Sequence, residues 1–159
     1  MKVLNAAVFV CSIAFSALLH AQQTTTPTTL PCDHSAEMRI YSNAFVHKET
    51  GDVLGYELAI RENGDSTTNA LLYVFEGAPN DEGIPLSGRI SGKSLTVEGK
   101  WVEHLVEYPS KKETIQTHVV KIDGALDEGS FRGKIKIENM DSPDNVRLKR
   151  VKRLWLCKR

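Results

Sequence analysis

Apolar side chains in this chain recur at every second position, and no stretch between Met38 and Ser142 carries them at helical spacing. In VLGYELAIRE, Leu54, Tyr56, Leu58 and Ile60 alternate with Gly55, Glu57, Ala59 and Arg61. FRGKIKIE repeats the pattern, with Phe131, Gly133, Ile135 and Ile137 set against Arg132, Lys134, Lys136 and Glu138. A period of two sends alternate residues to opposite faces of a strand, one face buried and the other facing water. Turn signals punctuate the alternation at Thr50-Gly51-Asp52, Asn63-Gly64-Asp65, Asn80–Gly83, Pro109-Ser110, Asp127–Gly129 and Ser142–Asp144.

These boundaries predict strands over 38–48, 53–62, 69–76, 84–91, 94–108, 113–123, 130–138 and 145–156. The last segment admits a helix started by Ser142-Pro143, but its run of bases would repel at i,i+4 spacing. A strand bulged at Lys149-Arg150 is the expectation. Eight antiparallel strands on short loops leave two raw edges unless they close, and closure removes both. The expected fold is therefore all-β: a single up-and-down antiparallel barrel of about eight strands over 38–159. Gly88, Gly92, Gly99 and Gly133 fall within strands, where barrels bend sharply.

The ends of the chain carry a different signal. Lys2 precedes an apolar run and then Leu19-His20-Ala21, the layout of a secretory signal peptide over residues 1–21, cut after Ala21 or, as second choice, Ser16. Its loss leaves no transmembrane segment and directs the protein to the periplasm or the outside medium. Residues 22–37 contain QQTTTPTTLP, a Thr/Pro-rich flexible leader too polar to order itself. Cys11 leaves with the signal, so Cys32 and Cys157 remain, an even pair that in an oxidising compartment reads as one disulfide. A metal thiolate or redox couple would need further ligands or a Cys-x-x-Cys spacing.

Without Lys2 the chain holds 20 − 1 = 19 bases against 20 acids, so overall charge selects no partner. The charges are unevenly spread: residues 33–128 hold 17 acids and 9 bases, residues 129–159 hold 3 acids and 10 bases. The basic tail RLKRVKRLWLCKR could draw an anionic surface; its plainer role is to protect a strand edge. Export argues against nucleic acid as a partner.

Gly99-Lys100-Trp101 forms a G-x-W, and together with the bridge from leader to chain end it resembles the calycins, the lipocalin and avidin group of barrels. In lipocalins the G-x-W lies in the first strand, whereas here it lies mid-chain. The resemblance implies a ligand-holding cup and assigns no functional residue.

Candidate chemistry is sparse. Gly64-Asp65-Ser66 is similar to the nucleophile block of GDS-type esterases, but the later Asp-x-x-His is missing and Asn63-Gly64 is a hairpin turn. A hairpin centred on Lys111 would place His104 opposite His118, weak metal candidates with Glu103 and Glu107 on the other face. His34 and His47 have no partners at a recognisable spacing. No catalytic set and no cofactor motif can be assembled. Trp101 and Trp155 read most simply as core or barrel-end plugs; on the sharper reading they form, with Tyr56, Tyr73 and Phe131, the candidate wall of a cup for a small apolar or amphipathic ligand. The alternative function is a secreted interaction or inhibitor module using loops or an exposed apolar face; LLYVF (Leu71–Phe75), apolar on both sides, is either such a face or a central strand covered outside by another segment.

Overall fold

The computed structural model describes residues 38–77, 82–107, 109–141 and 145–158. The expected signal peptide, the expected leader and Cys32 lie outside the described residues. The strands are β1 (Arg39–Ser42), β2 (Phe45–Val46), β3 (Val53–Glu62), β4 (Thr67–Gly77), β5 (Ile84–Ser91), β6 (Ser94–Glu107), β7 (Lys112–Leu126), β8 (Ser130–Ile137) and β9 (Val146–Val151), and from β2 to β9 each pairs antiparallel with the next. β1 also pairs with both β9 and β3, which closes the sheet. β1 and β2 meet β3 in one register, Ser42 opposite Glu57 and Phe45 opposite Leu54. They are halves of one strand, interrupted where the Asn43 side-chain oxygen takes the N–H of Tyr56 at 2.7 Å. Counted so, the barrel has eight strands.

Alternation decides what fills it. Tyr41, Leu58, Leu72, Leu95, Ile122 and Phe131 point inward and are fully buried, with Tyr56, Ile90, Trp101 and Met140 packed around them. The interior is thus occupied by the protein's own side chains. Gly124 and Gly133 face each other across β7 and β8 under the Phe131 ring. A methyl group on Gly133 would collide with the Asp123 carbonyl oxygen and lie 2.7 Å from the ring. Because that oxygen belongs to the backbone ladder, it cannot rotate away. We expect Gly133→Ala to lower stability by about 1–3 kcal/mol, the usual cost of overpacking, measured by urea unfolding; an unchanged midpoint would show that the strands can part there. Gly92, by contrast, is the turn residue between β5 and β6, with φ of +58°, and not a strand bend.

β4 is buried on both faces, and the reason is the chain end. Leu71, Tyr73 and Phe75 point out of the barrel, yet they lie beneath Leu154, Trp155, Leu156 and Cys157. Leu71–Phe75 is therefore a covered layer and not an exposed contact patch. The expected last strand 145–156 ends early: β9 stops at Val151, and Trp155–Lys158 form a 3-10 turn over the outer face. The expected bulge at Lys149-Arg150 is absent, since both residues sit in an unbroken ladder opposite Ser42 and Tyr41. Glu57, read from the alternation as solvent-facing, is 1% exposed and accepts the Trp155 N–H at 2.8 and 3.1 Å.

Burial, reinforced by the Glu57 carboxylate opposite it in the β3–β4 ladder, pushes the Tyr73 phenol up to about 12. The folded state thus favours the neutral phenol, whereas an unfolded tyrosine ionises near ~10. The stability this contributes is complete below pH ~10 and disappears as pH rises toward 12. We expect Tyr73→Phe to remove part of the alkaline fall in stability between those values, read from unfolding midpoints. A pH profile identical to that of the unaltered protein would mean that Tyr73 titrates normally.

Candidate functional site

The two ends of the barrel differ. One end carries tight connections, at 63–66, Gly92-Lys93 and 127–129; at the other, loop-bearing end lie the connection 47–52 and the strand ends Gly77, Ile84, Glu107, Lys112, Ile137 and Val146. Every large hydrophobic residue that stands exposed among the described residues belongs to this second end: Phe45, Val46, Val102, Leu105, Val106 and Ile115.

Four of these lie on a hairpin arm. β5 pairs with β6 only as far as Gly99, and β8 with β7 only as far as Val120. β6 and β7 continue to pair with each other alone, to Glu107 opposite Lys112. The portions Val102–Glu107 and Lys112–Thr117 therefore project about 20 Å at ~3.4 Å per residue. Val102, Val106 and Ile115 share one face of this arm and are 50%, 58% and 64% exposed. Register puts His104 between them, opposite Ile115.

That register corrects the expected histidine pair. His118 lies opposite Trp101, not His104. The connection is four residues long, with Lys111 left-handed at φ 54°, and the ladder closes at Glu107–Lys112 and not symmetrically about Lys111. The shift by an odd number of residues moves His104 to the other face and brings Glu103 to the His118 side. His118 is buried at the base of the arm; its Nδ1 lies 2.9 Å from the Glu138 carbonyl oxygen, and its ring centroid 5.5 Å from that of Trp101. Its Nε2 is 3.4 Å from Glu103 Oε2 but is not aligned for a hydrogen bond, so this buried nitrogen has none.

The five candidate cup residues do not converge. Trp101 and Tyr56 are half-buried at the loop-bearing end, and burial together with the nearby Glu76 charge raises the Tyr56 phenol. Phe131 is core. Tyr73 and Trp155 belong to the outer layer. Gly64-Asp65-Ser66 forms the β3–β4 turn, where the Asp65 carboxylate accepts the Thr67 N–H at 3.0 Å and its hydroxyl. Bonding from Thr67 holds that carboxyl below its usual value. The described histidines, His47, His104 and His118, sit at the opposite end, so Ser66 meets no base. Among the described residues no three His, Cys, Asp or Glu gather as metal ligands, and no helix is long and apolar enough to cross a membrane.

Sequence reasoning missed the arm, although its signal was present: the 94–108 and 113–123 runs outlast both neighbouring strands. Comparison with protein-family models, known proteins and solved structures finds no match.

Proposed function

We propose that this is an exported, non-catalytic binding protein that takes an extended polypeptide segment along its projecting hairpin. The observation that carries the reading is the gathering of exposed apolar side chains at the loop-bearing end, most of them on the arm. Among the described residues, the backbone of Val102–Glu107 bonds to no strand other than β7. A strand added to that edge would use its free N–H and C=O groups and lay alternate apolar side chains over Val102 and Val106. Export rests on the signal in residues 1–21, and kinship with the calycins on the barrel architecture alone.

The test is selection of displayed peptides on the mature protein, with counter-selection on Val102→Lys/Val106→Lys. Peptides with alternating apolar residues should emerge and lose binding when their backbone is N-methylated at the pairing positions. A second reading, a small amphipathic ligand at the barrel mouth, is favoured by the half-buried Trp101 beside the buried His118, whose Nε2 makes no hydrogen bond and has the Glu103 carboxylate 3.4 Å away. If no peptide is enriched, and lipids or aromatics shift tryptophan fluorescence in the parent but not in Trp101→Ala, this second reading replaces the first.

A further inference from the structure

The outer face of β7, β8 and β9 carries a lattice of cations. Lys121 stands directly opposite Lys136, and Arg132 directly opposite Arg147; Lys134 and Lys149 extend the array, and all six are exposed. Asp123 and Glu138 are the acids on this face, and no salt bridge described involves any of the six bases. Directly opposed side chains have Cβ atoms ~5 Å apart, where like charges repel and destabilise the sheet. Edge protection does not explain them, because β9 is paired on both sides, to β8 and to β1.

We infer that this face binds a linear, sulfated or carboxylated polysaccharide. Arg132, Lys134 and Lys136 form a row with a charge every ~7 Å along one strand, with Lys121 beside Lys136, Arg147 beside Arg132 and the acid Asp123 opposite Lys134, so anionic groups repeating along a chain can be met in series. No aromatic side chain lies on this face to stack the bases of a single-stranded nucleic acid, as such sites require. None of the exposed large hydrophobics lies there either, so nothing on it would insert into a lipid surface. The proposal is independent of the hairpin arm, which stands at the end of the barrel.

Heparin is the probe, with binding measured at ~0.1 M salt, where charges are screened beyond ~10 Å. Arg132→Glu/Lys136→Glu converts both like-charge pairs into opposite-charge pairs, so its melting temperature should equal or exceed that of the parent. Its heparin affinity should fall by on the order of tenfold or more, as expected when several phosphate- or sulfate-type contacts are lost. Arg89→Glu/Lys100→Glu, which changes net charge equally on the β5–β6 side, should bind nearly as the parent does. Equal losses in the two variants, or no binding by the parent, would overturn the inference. So would tighter binding to duplex DNA or to phosphatidylserine vesicles than to heparin.

Discussion

Phe131→Ala should lower the unfolding free energy by about 3–5 kcal/mol, the range for removing a fully buried aromatic ring. The upper part of that range is expected here. Phe131 has no exposed surface, and its ring occupies the space that side chains on Gly124 and Gly133 would otherwise fill. With glycines beneath it and paired backbone on both sides, little can move into the void. For a domain of this size the change corresponds to a melting point lower by on the order of 10–20 °C. Urea unfolding followed by tryptophan fluorescence measures it. A loss below about 1 kcal/mol would mean that the Phe131 side chain is not the centre of this core.

The second large effect concerns the chain end. Cys157 is half-buried in the outer layer, its N–H donating to the Leu154 carbonyl at 3.0 Å, while Glu57 holds Trp155 from below. We propose that Cys157 pairs with Cys32, a link that would close nearly the whole domain into one loop. Reduction, or Cys157→Ser, should then cost about 2–5 kcal/mol. The tail should also loosen, exposing Leu71, Tyr73 and Phe75. Binding of a hydrophobic dye should rise, and Tyr73 should ionise closer to the ordinary tyrosine range. Mass spectrometry of the unreduced protein provides the direct check: two thiols that alkylate without reductant would rule out the bridge.

These tests bear on features that were unequally legible in the amino-acid sequence. Period-two alternation and turn residues specified the strands: 53–62 and 84–91 coincide with β3 and β5, and eight short-looped strands implied a closed barrel. Local chemistry suffices there, because side-chain direction along a strand and the preference of Asn-Gly for a turn are properties of a few neighbouring residues. Trp101 lies on the inward face with Leu95 and Val97 for the same reason, the two-residue alternation along β6.

Which residue stands opposite which did not follow. His104 and His118 looked like a pair under a symmetric turn, but a four-residue connection with Lys111 left-handed displaced the ladder by an odd number and separated them. Nor could alternation say what covers an outward face. Glu57 and Tyr73 are buried because a segment about a hundred positions away in sequence folds back over them. The cationic face is decided in the same way: its bases come from three strands, and only their registers set Lys121 against Lys136 and Arg132 against Arg147. Strand identity is encoded locally. Register, coverage and the meeting of like charges depend on turn geometry and on contacts between distant segments, which only the closed barrel brings together.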